Sequence, residues 1–580
     1  MQTTRKIQKS KHDKKLQNLS LEQEQPLFNV KNTVICYKLD NDPPKFVMET
    51  LSLGPKNAVL EKMNQNDVLT ELDSLIEFCK NKNVSDDLIT DINVKTLNYI
   101  KTCNKQKSSR NIQATKKYLR DNRLLAIPFD KGIGICLMKV EQYNSKLDAI
   151  IQLPQFKKWV PPRKNAKNPV LKEEERVTNF LNDLLERKKI SSKLHEKLRP
   201  TGSQPPRLYG LAKVHKNDIP LRPVLSMPGS AYYNIAKKTA DWLSVIPECK
   251  INTSSESISS RLNEINLPEG HEMISFDIVS LYTNVPVNEA INHCTELLFS
   301  GKYQKPPVDK ETFREMLEIC SCDVLMLTHD GYYQQTNGLA MGSPPAPMLA
   351  NVWLSKYDGT IKGEAVIYER YVDDVLMDIE KNTVPAKLES INSLNESLKF
   401  TAEREKDCSI PFLDMLIERK GRTLSSTWYT KKTDTGLMMN FLALAPIRYK
   451  RAVISGMTHR IYRSCSSWKL FHQSLEKAKI ILINNQYPPS FFNPIIEKTL
   501  TKIIEKPEKE EDESDKKKFF IQYRGKVSDK FENTLKRMDA PCKVVFTTRK
   551  LKTVLQSLKP QIEKPLRSSV VYLVKCPRCN

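Results

Sequence analysis

The sequence predicts a mixed α/β protein made of several domains. Three observations predict it. The chain has 580 residues, too many for one hydrophobic core, which implies about three or four domains. Short apolar runs bounded by turn residues, such as LLAIPFDKGIGICLMKV (124–140) and MISFDIVSLY (273–282), read as strands. Between them stand stretches with apolar residues at helical spacing, such as VLTELDSLIEFCK (68–80) and AYYNIAKKTADWL (231–243).

Taken in order, residues 1–25 are rich in Lys and Gln and read as a disordered basic tail. A mostly helical N-terminal region follows over 26–110. Within it Asp86-Asp87, in SDDLITDI, reads as the solvated start of a helix. A longer mixed region spans 111–440. It opens with two short strands around the turn Asp130-Lys131-Gly132 and continues with a charged helical stretch over about 170–198. The Pro/Gly-rich RPTGSQPPRLYG (199–210) reads as a loop, and 231–243 as a helix. Further on come a helix over about 385–399 and a strand pair in TAEREKDCSIPFLDMLIERKG (401–421) with its turn at Lys420-Gly421. Residues 441–505 are helical and basic. KPEKEEDESDKKK (506–518) is a charged linker, 519–563 a short connector module, and 564–580 a strand-like end. No long-period repeat stands out.

Lys plus Arg outnumber Asp plus Glu by 92 to 68. That excess favours a polyanionic partner such as nucleic acid over a merely soluble basic surface. No apolar run is long enough to span a bilayer, so no membrane partner is expected. Met1 to Lys15 is polar and basic and does not read as a signal peptide. The 13 cysteines are scattered and read as reduced thiols. Cys320 and Cys322 read as part of a packed helix-to-strand junction. Cys576 and Cys579 form half of a zinc site at most.

The chemistry centres on three acids. Tyr371-Val372-Asp373-Asp374 lies between Ile367-Tyr368 and Val375-Leu376-Met377, so the two carboxylates sit at the turn of a hairpin. Asp277 is the one carboxylate in an apolar strand, costly there unless paired or metal-bound. Three hard oxygen ligands on two β elements suit Mg²⁺, and two such ions activate an attacking hydroxyl and steady a leaving pyrophosphate. For Asp277 alone a structural ion pair is the competing reading. Between the acids lies Asn337-Gly338-Leu339-Ala340-Met341-Gly342-Ser343-Pro344. Gly338 and Gly342 allow backbone to approach a flat ligand, and the prolines stiffen the entry to the helix MLANVWL.

An acid strand, a glycine loop and a paired-acid hairpin, in this order, resemble motifs A, B and C of reverse transcriptases. SFDIVSLYTNVP, GLAMGSPPAP and YVDD carry the likeness. KVHKNDIPLRPVLS, AMGSPPAPMLANVWL, RYVDD, IPFLDMLI and WYTKKTDTG narrow the resemblance to the Penelope-like retroelements, which are akin to telomerase. LSLGPK at 51–56 resembles their upstream region. YRGKVSDKF and APCKVVFTTRKL resemble the segment that joins their polymerase to a GIY-YIG nuclease. The likeness runs from about residue 50 to the end.

The resemblance implies an α/β (α+β) right-hand polymerase. Fingers and palm would fill 111–440 and a helical thumb 441–505, behind a helical N-terminal extension. It implies an RNA-directed DNA polymerase that extends a DNA 3′ end on an RNA template. Asp277, Asp373 and Asp374 would hold two Mg²⁺ ions, or Mn²⁺ in their place. Tyr282, five residues after Asp277, would set a ring against the sugar 2′-carbon and favour dNTPs, with ordinary packing as the alternative. Lys131 and Arg222 would grip the triphosphate, a template-phosphate or solvated role being the alternative. Lys213, His215 and Lys216 would line the template path. Trp428, Lys431 and Lys432 would contact the primer, or form a strand edge on the thumb. Arg460 and Arg463 would lie on a duplex-binding helix face, or on an ordinary solvated one. Template RNA, primer or target DNA, and dNTPs are the implied partners.

VVYLVKCPRCN resembles the first strand of the GIY-YIG domain, where the chain ends. The expectation is a natural truncation or an incomplete reading, without endonuclease activity. A catalytically inactive or domesticated nucleic-acid-binding protein is the alternative to a polymerase. RNA-dependent RNA polymerase is disfavoured by Tyr282. The implied substrate leads to an expected nuclear location, after synthesis, with room for ribonucleoprotein assembly, in the cytoplasm.

Overall fold

The computed structural model describes residues 33–106, 109–161, 168–249, 254–262, 264–431, 433–505, 516–555 and 557–566. It divides into two compact units. The first comprises residues 1–139, 433–458 and 476–556, the second 140–432, 459–475 and 557–580.

The first unit opens with β1 (Val34–Cys36), α1 (Lys45–Ser52), α2 (Gln65–Asn81), α3 (Asp86–Asn104) and α4 (Arg110–Asp121). Asn64 caps α2 through its side chain, and Ser85 caps α3 by accepting from the Leu88 amide. Asp86 and Asp87 occupy the first turn of α3, where the helix dipole favours acids. Strands β2 (Leu124–Pro128) and β3 (Ile135–Lys139) form the expected antiparallel hairpin, and β1 joins β3 in parallel. Gly132 takes φ +81° at the turn, and a side chain there would meet the Thr433 carbonyl. Thr435 Oγ1 donates to the Ile133 carbonyl at 2.8 Å, fixing the same junction.

The second unit begins with α5 (Val140–Ile151), β4 (Phe156–Lys158), α6 (Pro169–Glu186) and α7 (Ser192–Leu198). Then follow β5 (Arg207–Ala212), β6 (Leu221–Ser226), α8 (Tyr233–Leu243), α9 (Ser255–Leu262) and β7 (His271–Ile278). The short α10 (Leu281–Asn284), α11 (Val287–Leu298), α12 (Lys310–Ser321), β8 (Val324–Thr328) and β9 (Gly331–Gln335) lead to α13 (Ala346–Lys362). The remaining elements are β10 (Tyr368–Tyr371), β11 (Asp374–Glu380), α14 (Val384–Asn392), β12 (Phe400–Arg404), β13 (Ser409–Phe412), β14 (Met415–Lys420) and β15 (Thr423–Trp428). Three sheets result, in the orders β10–β11–β7–β12, β4–β9–β8–β5–β6 and β13–β14–β15.

The first of these sheets positions the site. Its strands are antiparallel, and β7 is paired on both sides. Ile274, Phe276, Ile278, Val375 and Met377 point one way, into a core with Ile291, Leu349 and Trp353 of α11 and α13. Met273 and Leu376 point the other way, into a smaller core with Phe412, Met415 and Ile417 of the third sheet. Cys320 is fully enclosed where α12 meets β8, and burial pushes its thiol up to about 12. It is a packing group, as its place in the sequence implied.

The chain then forms α15 (Ile447–Ser464), α16 (Trp468–Asn484) and α17 (Pro489–Glu505). In the first unit, buried Asn485 clamps the preceding segment. Its side chain accepts from the Met438 amide at 2.9 Å and donates to the Gly436 carbonyl at 2.8 Å. Last come β16 (Lys517–Gln522), α18 (Lys526–Arg537), β17 (Cys542–Thr547) and α19 (Leu551–Leu555), the two strands being parallel. Two parallel strands and one helix are too little to bury a core alone. Phe519, Ile521, Phe531, Val544 and Phe546 instead share one core with Leu72, Leu75, Ile92 and Tyr99 of α2 and α3. The Tyr99 and Phe531 rings stack at 4.7 Å, and the Tyr99 hydroxyl donates to the Gln522 carbonyl at 2.7 Å.

Three local expectations change. The last residues of RPTGSQPPRLYG are strand β5, not loop, because Arg207–Ala212 pairs along its length with β6. The helix expected to about residue 399 ends at Asn392. There the Asn392 side chain accepts from the Phe400 amide at 2.6 Å and starts β12. The strand pair expected over 401–421 is split: β12 pairs with β7, and β13 opens the third sheet. The strand-like end with Cys576 and Cys579 lies outside the described residues.

Because α2, α3 and the last parallel pair share a core, Phe519→Ala should destabilise both. The expected loss is about 3–5 kcal/mol in urea denaturation. Hydrogen exchange should quicken in Gln65–Asn104 as well as in Lys517–Thr547; unchanged protection of the two helices would contradict the shared core.

Candidate active site

The site is built on the register of β11 against β7. Asp374 stands directly opposite Asp277, so both carboxylates project from one face. Directly opposed residues hold their Cβ atoms roughly 4.5–5.5 Å apart. This face is closed by the Met273 and Leu376 core at its other end, whereas Asp277 is exposed and Asp374 half-buried. The desolvation cost expected for an acid in an apolar strand therefore does not fall on Asp277. Its strand is buried, but its side chain is not.

Asp373 occupies the turn between β10 and β11. Its carbonyl accepts from the Ile278 amide at 3.1 Å, which ties the turn to the end of β7. Val372 beside it takes φ +59°, and Ser280, three residues after Asp277, takes φ +53°. A β-branched residue in the left-handed region is strained. Such strain concentrates at sites that the surrounding structure over-determines.

A network in the second unit supplies that constraint. Arg370, 4% exposed, grips Asp358 of α13 in a fork, with Nε to Oδ1 and Nη2 to Oδ2 both at 2.7 Å. Its Nη1 and Nη2 also donate to the Asn351 side chain and carbonyl at 3.3 and 3.4 Å. The Tyr368 hydroxyl donates to Asp358 at 2.7 Å, and burial, with Asp358 beside it, raises its pKa. The paired-acid hairpin is thus fastened to the helix that follows the glycine loop. Sequence reasoning missed Arg370, Asp358 and Asn351. Arg370, standing in RYVDD beside the acids, was the available signal.

The glycine loop packs on protein. Gly338 and Gly342 take φ +73° and +121°, and side chains there would run into the carbonyls of Thr283 and Leu225. The Leu339 amide donates to the Tyr282 carbonyl at 2.6 Å, and the Leu225 amide to the Met341 carbonyl at 2.8 Å. The need for glycine, expected from close approach to a ligand, is met by close approach to β6 and α10. The same bonds hold Tyr282 in place. Tyr282 is half-buried, and its pKa is raised by burial and by Asp373, with Arg222 acting against them. The ring, the turn acid and the β6 guanidinium therefore lie within electrostatic reach of one another.

Other expected residues fall elsewhere. Lys131 is exposed on the β2–β3 turn, in the first unit. Lys213, His215 and Lys216 lie at the turn between β5 and β6, half-buried at Lys213 and exposed at the other two. Trp428 ends β15, and Lys431 is exposed beyond it. Lys432 lies outside the described residues. Arg460 stands 3.6 Å from Asp414, and Arg463 3.1 Å from Glu256. These are exposed surface pairs, worth little individually.

Among the described residues, no group of three His, Cys, Asp or Glu is gathered as a metal cage. Mg²⁺ does not require one, since it keeps waters and combines one or two carboxylates with substrate phosphates. The opposed oxygen donors of Asp277 and Asp374, with Asp373 at the adjoining turn, fit that mode.

Residues 214–410 match the sequence model described as "Reverse transcriptase (RNA-dependent DNA polymerase)". They form a reverse transcriptase domain. This module is mixed α/β, consistent with a right-hand polymerase fold, and the antiparallel sheet bearing the acids lies within it. Residues 437–497, which include α15 and α16, match the model described as "Animal helix-turn-helix domain". No curated protein matches the chain. Among solved structures, Candida albicans telomerase in complex with a fragment of telomeric RNA is similar at 10% identity and TM-score 0.36. That match covers 63% of this chain and 65% of the telomerase, just under two thirds of its length. Apo telomerase from Candida tropicalis matches at 12% identity and TM-score 0.25, over 73% and 65% of the two chains. The Sicinivirus 3Dpol RNA-dependent RNA polymerase matches at 10% identity and TM-score 0.35, over 54% and 71%. Likenesses at this level add nothing to what the register and the carboxylates establish.

The Arg370 fork predicts a rate effect at a distance from substrate. Arg370→Met should lower the kcat of nucleotide incorporation about 100-fold with little change in KM, the scale of a 1 Å misplacement. Arg370→Lys, which keeps the charge but not the fork, should recover part of the loss. Steady-state kinetics beside circular dichroism of each variant checks this.

Proposed function

We propose that this chain is the RNA-directed DNA polymerase of a Penelope-like retroelement, extending a DNA 3′ end on an RNA template. The observation that carries the reading is the opposed pair Asp374 and Asp277, with Asp373 at the turn and within reach of Tyr282. Two divalent ions, Mg²⁺ or Mn²⁺, when held by these acids, supply Lewis-acid activation of the primer hydroxyl and neutralise the leaving pyrophosphate.

The chain's own residues do the rest. Arg222, on the strand facing Tyr282 and the glycine loop, offers a forked donor to the triphosphate of an incoming dNTP. Tyr282 acts through its ring, whose bulk excludes a ribose 2′-hydroxyl. Gly338 and Gly342 let the loop bond to the Tyr282 backbone and to β6, so the ring is set before substrate arrives. Preorganisation of this kind lowers the entropic part of the barrier.

Lys213, His215 and Lys216 lie on the template path, and Trp428, Lys431 and Lys432 on the primer path. Arg460 and Arg463 exchange their exposed carboxylate partners for duplex phosphates. A helix-turn-helix match over 437–497 is in keeping with a duplex-binding role for this segment. A DNA primer or target as substrate implies the nucleus as its site of action.

Primer extension on an RNA template with Mg²⁺ tests the reading. The wild type should incorporate dNTPs, and Asp373→Asn should lower incorporation by at least about 10³-fold, the scale of losing one electrostatic stabiliser of the transition state. Absence of wild-type incorporation would point to a nucleic-acid-binding protein without catalysis. In the same assay, Tyr282→Ala should admit NTPs with the dNTP rate largely kept; undiminished discrimination would remove Tyr282 from the sugar gate.

A further inference from the structure

We propose that the cleft between α9 and the turn joining α15 to α16 takes an unpaired base of a nucleic-acid strand, stacked on Trp468. The inference concerns binding alone and requires no catalysis, so it stands apart from the polymerase reading.

α15 ends at Ser464 and α16 begins at Trp468, so the turn between them is Cys465-Ser466-Ser467. Trp468 is 49% exposed, although an indole is among the largest apolar surfaces a chain can bury. Its neighbours hold it there. The Tyr462 and Phe471 rings meet it at 5.7 and 5.5 Å, inclined by 51° and 86°, and Phe471 is buried beneath. The turn itself is pinned on two sides. The Ser466 amide donates to the Ser426 carbonyl of β15 at 3.0 Å, and the Ser466 hydroxyl accepts from the Ser426 amide at 2.9 Å. The Ser259 hydroxyl of α9 donates to the Arg463 carbonyl at 2.7 Å. An exposed ring fixed before its ligand arrives loses little freedom on binding.

The cleft has a volume of about 270 Å³. Tyr462, Trp468 and Phe471 line it from α15 and α16, and Glu256, Ser259 and Ser260 from α9. Arg463 lies at the same cleft and stands 3.1 Å from Glu256. Such a pair makes a poor site for an anion alone, because its charges offset each other. It sets donors and acceptors side by side, with serine hydroxyls able to serve as either. A flat aromatic face bordered by mixed donors and acceptors complements a nucleobase, which has a π-face and an edge of both kinds. An apolar side chain of a protein partner would instead strip water from these groups without replacing their hydrogen bonds. The surroundings suit the rest of the strand. Residues 459–475 hold three Lys or Arg, two His and no Asp or Glu. Glu256 and Asp414 pair with two of these cations, and the third, Lys469, is exposed next to Trp468.

Fluorescence anisotropy of a labelled short oligoadenylate on the full chain, without divalent metal, tests the site. An abasic strand of equal length is the control. Trp468→Ala should weaken oligoadenylate binding about tenfold, the scale of one lost base stack. It should leave the abasic strand unaffected and keep the slope of affinity on salt, because no phosphate contact is lost. Trp468→Phe should restore most of the affinity. Ser260→Phe, at an exposed position of α9 lining the cleft, should block the base while Trp468 stays in place, and it remains informative if Trp468→Ala does not fold. Unchanged oligoadenylate affinity in a folded Trp468→Ala or Ser260→Phe protein, or an equal loss for the abasic strand, overturns the site. Wild-type dimerisation that Trp468→Ala abolishes in analytical ultracentrifugation would assign the cleft to a second copy of the chain and overturn the nucleic-acid ligand.

Discussion

The structure of the second unit turns on one unfavourable pairing. Asp374 and Asp277 face each other across β11 and β7, and like charges directly opposed destabilise a sheet. The pairing persists because seven residues of β11 are in register with β7, and a one-residue slip would turn each side chain to the opposite face and the wrong core. Phe276 and Val375 face the helices, while Met273 and Leu376 face the third sheet. With both faces buried, the register is fixed from two sides at once. The two acids are thereby held opposite each other.

Everything around the pair stops it from relaxing. The turn carries a valine in the left-handed region, and the Arg370 fork ties that hairpin to α13 through Asp358 and Asn351. The glycine loop before α13 lies so close to Thr283 and Leu225 that no side chain fits. Through the bond from Leu339 to Tyr282, that loop also sets the ring that shares the field of Asp373 and Arg222. The three motif elements are therefore one mechanical object, in which a change at the loop is felt at the acids.

Much of this was legible in the sequence because the signals were local. The hairpin at Asp373 was visible from its apolar flanks, the strand at Asp277 from its run of buried residues, and the β2–β3 hairpin from the turn at Asp130-Lys131-Gly132. Gly338 and Gly342 were recognisable as backbone requirements, but their reason was not, since the carbonyls they approach lie over fifty residues upstream. Arg207–Gly210 reads as loop because Pro205, Pro206 and Gly210 dominate its local pattern, while its strand character comes from pairing with β6.

By itself the sequence determined the type of chemistry: hard oxygen donors, the order in which they occur, and the basic excess that seeks a polyanion. These depend on residue identity and short spacing, which a linear chain displays in full. Tertiary structure alone decided which groups meet. It placed Asp277 on the open end of its face, put Lys131 in the first unit, and engaged Arg370 with Asp358 across twelve residues. It also merged helices near residue 70 with strands near residue 520 into one core, because neither segment has enough apolar surface to fold by itself. Burial and long-range pairing are properties of the folded chain, so no local pattern announces them.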